Sequence, residues 1–144
     1  MADLAMIMRI VLAMLLGGIL GWQRQHKGRW AGVRTYALVS GGSALFTILS
    51  MISFGTDTAR VAAGVVTGIG FLGAGTILHR ENRVEGLTTA AGLWMVAAIG
   101  MAVGLKLYVL GAVSGLLVML VFIFDYKKTG LKSDMTNGED DLIG

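Results

Sequence analysis

Four basic side chains, Arg24, Lys27, Arg29 and Arg34, stand within residues 23–34, a stretch that holds no acid. A guanidinium presents a planar fork of donors that matches phosphate or carboxylate, so such a loop can hold anionic lipid headgroups or an acidic partner. Its plainer role is to anchor a membrane protein from the basic side. Arg34, followed by Thr35, opens an apolar run, a position from which its guanidinium can turn inward. A second polar stretch, 79–86, mixes His79, Arg80, Glu81, Arg83 and Glu85. Its charges can pair locally, or Glu81 or Glu85 can reach the first basic loop and clamp two helices together. Thr88 and Thr89 follow, and their hydroxyls can bond to nearby carbonyls or to a glycine-rich helix. Asp57 and Arg60 lie in a short connection elsewhere. Asp57 suits a helix N-terminus, and it is also the candidate ligand for Mg²⁺, which takes one or two carboxylates and keeps several waters.

Glycine supplies the other pattern. Gly64 and Gly68 form GxxxG and Gly75 continues that stripe, while Ala63, Thr67, Gly70 and Ala74 form a second one at helical spacing. Two small-residue faces let one helix pack closely against two neighbours, which predicts the helix through Gly64–Gly75 at the centre of the structure. A broken helix exposing backbone to an ion is the alternative. A nucleotide-binding loop is excluded, since these glycines lie inside an apolar run with no preceding strand and no P-loop lysine.

The elements that must position these residues are membrane helices. Of 144 residues, 55% are hydrophobic and 15% charged, with no cysteine and no proline, a balance too apolar for a soluble domain. Five apolar stretches, 4–22, 33–54, 61–78, 86–104 and 107–124, each approach the ~20 residues that span a bilayer. The fold class expected is therefore all-α, a polytopic membrane bundle of about five helices over 1–124, with a short, polar, disordered tail over 125–144. The first stretch lacks a basic leader and precedes a basic loop, so it reads as a retained span rather than a signal peptide.

Of the 12 lysines and arginines, Arg24, Lys27, Arg29, Arg34, Arg80, Arg83, Lys127, Lys128 and Lys132 fall on one side, against Arg9, Arg60 and Lys106 on the other. This bias predicts the N-terminus outside and the C-terminus in the cytoplasm. Arg9 is the one charge within a span and can snorkel outward. No Asp or Glu occurs within the apolar stretches, which counts against a coupled pump or proton relay. His26 and His79 are isolated, no hydrolytic triad is arranged, and no aromatic-basic groove suggests nucleic acid. Enzyme activity and nucleic-acid binding are not expected.

Three segments, GWQRQHKGRWAGVRT over 21–35, IGFLGAGTI over 69–77 and GLTTAAGLWMVAAIG over 86–100, resemble the MgtC/SapB family of bacterial inner-membrane proteins, in the family's order and at about its spacing. The resemblance implies a five-span inner-membrane domain. It also implies links to magnesium homeostasis, to virulence through survival inside macrophages, and to inhibition of the F-type ATP synthase. Carried over by motif, the functional residues are Arg24, Arg29, Arg34, Gly70, Gly73, Gly75, Thr88, Thr89 and Trp94, with Asp57 and Arg60 less closely matched. Members commonly have Glu where this chain has Gln23, and often Asn where it has Thr88. Many carry a soluble ACT-like C-terminal domain, and a function that needs that domain is not expected of this chain, which ends about twenty residues after its last span.

The function expected is that of a regulatory or adaptor membrane protein acting by contact within the bilayer, on a partner such as the F-type ATP synthase. A homodimer through the small-residue faces is also expected. The alternatives are a transporter or channel for Mg²⁺ or another solute, and a lipid-binding protein using the first basic loop.

Overall fold

The computed structural model describes residues 2–53, 57–80 and 83–136. Among these residues five helices form: α1 Ala2–His26, α2 Val33–Ser53, α3 Thr58–Ala74, α4 Leu87–Gly104 and α5 Tyr108–Thr136. The expected all-α membrane bundle is what the chain adopts. Its one addition is a short antiparallel hairpin between α3 and α4, β1 Leu78–Arg80 and β2 Arg83–Glu85, with His79 opposite Val84.

Among the described residues three helices are long and apolar enough to cross a membrane, and α3 and the segment Tyr108–Phe124 of α5 are shorter apolar helices. With 17 residues, α3 sits at the lower end of the ~17–25 that span a bilayer. Large apolar side chains face outward around the bundle, Phe71 82% and Val109 79% exposed among them. An apolar exterior of this extent is what hydrocarbon, not water, accommodates.

The helix ends have local causes. Gly28 adopts a left-handed φ of 64°, and Arg29 N–H bonds back to Arg24 O while Gly28 N–H bonds to Gln25 O. That paired closure is a Schellman cap. The α4–α5 turn closes the same way, with Lys106 at φ 66° and Leu107 N–H on Ala102 O. α3 ends four residues before the apolar run does: Thr76 folds back so that both its N–H and its hydroxyl donate to Gly73 O, at 3.0 and 2.8 Å. Ile77 and Leu78 therefore lead into β1 rather than lengthening the helix. At the other end of the chain α5 continues as helix from Phe124 to Thr136, so the polar segment begins within it. Residues 137–144 lie outside the described residues.

α4, not α3, is the central helix: it packs against α1, α2, α3 and α5. The core gathers Leu20, Tyr36, Leu93, Val96, Ile99, Val118 and Phe122, and Ala13, Ala44 and Val103 form a second cluster beside it. Close approach is made by glycines outside α3. Gly100 of α4 meets the carbonyl of Ser40, and Gly17 and Gly21 of α1 lie on the α2 backbone at Tyr36 and Val33. A side chain at any of these would separate the helices, which is why small residues mark membrane helix contacts.

Candidate functional site

Alternation of the helices brings the C-terminal end of α1, the N-terminal end of α2, the hairpin and the N-terminal end of α4 together at one end of the bundle. Arg24 lies at the heart of that end. It continues the inward stripe Ala13, Gly17, Leu20, Gly21 of α1, and its side chain is turned into the protein, 2% exposed. One guanidinium nitrogen donates to the hydroxyl of Thr89 on α4 at 2.9 Å, and the guanidinium carbon stands 4.5 Å from the centroid of the Phe122 ring on α5. Three helices are thus tied through one cation. A buried charge is costly unless oriented polar groups surround it, and a hydroxyl and a π-face are two such groups.

Around Arg24 opens a polar cavity of about 520 Å³, lined by Lys27, Arg29 and Trp30 from the first loop, Arg83 and Glu85 from the hairpin, and Thr88 and Thr89 from α4. Arg83 and Glu85 pair at 2.8 Å. Gly86, at φ 86°, brings the chain from the hairpin into α4 with no side-chain cap on the helix. The first hydrogen bond of α4 runs from Ala90 N–H to Gly86 O, which leaves the N–H groups of Leu87, Thr88 and Thr89 without partners inside the helix.

Of the residues expected to act together, Arg24, Arg29, Thr88 and Thr89 are brought to this cavity. Arg34 is not: it is exposed on α2 and outside the lining. The inward arginine is Arg24, and the register of α2, which buries Tyr36 and Ser40, turns Arg34 outward. Glu81 lies outside the described residues. Trp94 faces outward from the middle of α4, 49% exposed. Asp57 and Arg60 sit at the opposite end as an exposed ion pair at 3.6 Å. Asp57 occupies the N-cap of α3 without a side-chain cap bond, and no cluster of three potential metal ligands surrounds it among the described residues. Arg9 does not snorkel freely; it is half-buried and donates to the last carbonyl of α4, Gly104, at 3.4 Å.

The expected role of the α3 glycines as contacts in the bundle centre needs correction. A Cβ built on Gly64, Gly68 or Gly70 meets no atom within 4 Å, and Gly75 meets only carbonyls of its own last turn. Gly73 alone among them packs on another helix, against Ala90 of α4 at 3.5 Å. Spacing on α3 identifies two narrow faces correctly, but this chain covers neither fully. Between α2 and α3 runs an apolar cavity of about 540 Å³, lined by Leu38, Gly42, Phe46, Val61, Gly64, Gly68 and Leu72.

Two participants were not foreseen. Tyr36 is fully buried, its ring edge-on to Phe122 and its hydroxyl against Gly92. Gln23 donates its amide N–H to the Phe122 carbonyl at 3.2 Å, a bond that a carboxylate at this position cannot make. The burial of Arg24 was not foreseen either, although it falls seven residues after Gly17 and three after Gly21, on the glycine face of α1.

The MgtC family model matches residues 10–129. The protein named "Putative magnesium transporter YhiD" of Escherichia coli K12 is 46% identical over 124 residues, 80% of this chain and 58% of that one. Protein SrpB of Synechococcus elongatus is 41% identical over 132 residues, 81% of this chain and 72% of its own. Protein MgtC of Salmonella typhimurium LT2 is 48% identical over 99 residues, 69% of this chain and 43% of its own. The chain thus spans about half the length of YhiD and MgtC. No solved structure matches it significantly.

Proposed function

This chain belongs to the MgtC family, and from that membership we propose that it is a regulatory or adaptor protein of the bacterial inner membrane, linked to magnesium limitation and acting by helix contact with a membrane partner. The observation that carries the reading is the open face of α3. Gly100 and Gly17 are filled by a neighbouring backbone, whereas Gly64 and Gly68 of α3, with Gly42 of α2 opposite, border an apolar groove with nothing within 4 Å of a Cβ placed on them. A groove of this kind is shaped to receive a transmembrane helix. The family resemblance makes the F-type ATP synthase the partner to test first, and a second copy of this chain the next.

The basic end, with the first loop and the hairpin, faces the cytoplasm in this reading, with the N-terminus outside. Photo-crosslinking from Phe46 or Leu72, followed by copurification, should recover a membrane partner, and Gly68→Leu should abolish that recovery while leaving the chain folded. Capture of nothing at either position would overturn the reading. The transport alternative, carried by the name of YhiD, makes a different demand: purified chain in liposomes must conduct Mg²⁺, and Asp57→Asn must alter the flux.

A further inference from the structure

Hydrogen bonds fix α1 and α4 to each other near both ends. Arg24 donates to the Thr89 hydroxyl at the basic end, and Arg9 donates to the Gly104 carbonyl at the other. Arg9 and Arg24 are 15 residues apart on α1, and Thr89 and Gly104 are 15 residues apart on α4. At ~1.5 Å per residue, both helices put about 22 Å between the two polar levels. The hydrocarbon core of a typical bilayer is ~30 Å thick. We propose that the side of the bundle formed by α3, α4 and α5 is built for a thinner hydrocarbon layer, so that the lipid it fits is one with short acyl chains.

The charges on these helices set its limits. α3 has 17 residues, but Arg60 in its first turn is 83% exposed and paired with the exposed Asp57. Its apolar part therefore runs from Val61 to Ala74, a length of about 21 Å. Thr76 then folds back on Gly73 and the chain leaves for the hairpin. α4 has 18 residues, which span about 27 Å, and the exposed Lys106 stands in the turn that follows it. The apolar segment Tyr108–Phe124 of α5 starts from that same turn and is no longer than α3. A charged side chain beside lipid must reach the water boundary, so Arg60 and Lys106 mark where hydrocarbon ends on this side.

α1 and α2 are longer, with 25 and 21 residues. Beyond Arg9, α1 continues outward and exposes Leu4, Ile7 and Met8, side chains suited to lipid. Leu4 stands about 7 Å past the level of Arg9. The outer boundary thus lies near Leu4 along α1 but near Gly104 and Lys106 along α4 and α5, a step of about 7 Å. Arg9 sits at this step. It belongs to the long helix, yet its guanidinium is bonded to the last carbonyl of the short one. A charge can therefore occupy an apolar run of α1 because the boundary descends to its level on the α4 side. Lipids of ordinary length must compress to follow the step, at a cost that grows with each ångström of mismatch, whereas shorter chains meet the short side without compressing.

The full chain carrying Trp22→Phe and Trp30→Phe keeps one tryptophan, Trp94, half-exposed midway along α4. In phosphatidylcholine vesicles its fluorescence is quenched by brominated dioleoyl lipid, in competition with dimyristoleoyl, dioleoyl or dierucoyl lipid. The competition yields the relative binding constant of each chain length. Dimyristoleoyl lipid should bind about twofold or more tightly than dioleoyl, and dierucoyl lipid most weakly. Arg60→Leu combined with Lys106→Leu, both at exposed positions, removes the charges that bound the short side and should move the optimum to dioleoyl lipid. Asp3→Asn, at the outer end of the long α1, should leave the optimum in place. Equal binding of the three lipids, or an optimum at dioleoyl or longer without the leucine substitutions, overturns the proposal, and so does an optimum that those substitutions fail to move.

Discussion

Arg24 and Thr89 lie 65 positions apart, and the guanidinium of the first donates to the hydroxyl of the second across 2.9 Å, buried at the junction of α1 and α4. The bond accounts for why a threonine sits at the start of an otherwise apolar helix: its hydroxyl is an acceptor for a cation that α1 drives inward.

Thr89→Val keeps the shape and removes the acceptor. A buried donor left short of a partner costs about 1–3 kcal/mol, so the thermal midpoint in detergent, followed by tryptophan fluorescence, should fall. Thr89→Ser keeps the hydroxyl and should lose much less. Equal losses for the two would show that the methyl group, not the hydrogen bond, is what matters.

Gly100 and Gly64 should respond oppositely to the same substitution. A Cβ on Gly100 would collide with the Ser40 carbonyl, while one on Gly64 meets open space. Overpacking costs about 1–3 kcal/mol, so Gly100→Ala should lower the midpoint clearly and Gly64→Ala should leave it within error. Unfolding in sodium dodecyl sulfate, read by circular dichroism, separates the two. A large loss at Gly64 would mean that its face is covered in the purified protein.

The five helices were legible because hydropathy and length suffice for them. The order of importance among the helices was not. Small-residue spacing marks a face that can pack, and α3 has two such faces, but spacing does not say which neighbour reaches them. The filled glycines, Gly17 and Gly21 on α1 and Gly100 and Gly104 on α4, stand at GxxxG spacing as well, so the motif alone does not single out α3. The basic cavity was half legible. Arg24, Arg29, Thr88 and Thr89 were all singled out by motif, yet Arg34 was the arginine read as able to turn inward and Arg24 was not distinguished from its loop. The face of α1 that carries Gly17, Leu20 and Gly21 decides this, and Arg24 lies on it.

Gly86 joins the hairpin to α4 at a φ of 86°, and a Cβ there would strike the Thr76 carbonyl. Left-handed backbone costs an L-residue about 1–2 kcal/mol, and the collision adds to it. Gly86→Ala should therefore destabilise the end of the bundle that holds the cavity. Hydrogen exchange should quicken at Ala90 and its neighbours while the N–H groups near Gly104 keep their protection. Uniform loss of protection along α4 would instead mean that the turn and the bundle unfold together.

Lys106 holds the same left-handed geometry at the α4–α5 turn, φ 66°, but with a side chain. The Schellman bonds around it, Lys106 N–H to Val103 O and Leu107 N–H to Ala102 O, are made at 3.0 and 2.9 Å, so the turn forms despite the Cβ. Glycine relieves the conformational cost of about 1–2 kcal/mol and gives back ~0.5–1 kcal/mol through the greater freedom of the unfolded chain. Lys106→Gly should thus raise the thermal midpoint by the equivalent of up to about 1 kcal/mol. Lys106→Ala removes the charge but keeps the Cβ, and should not raise it. If both variants stabilise equally, repulsion of the lysine charge, not backbone geometry, is what the turn relieves.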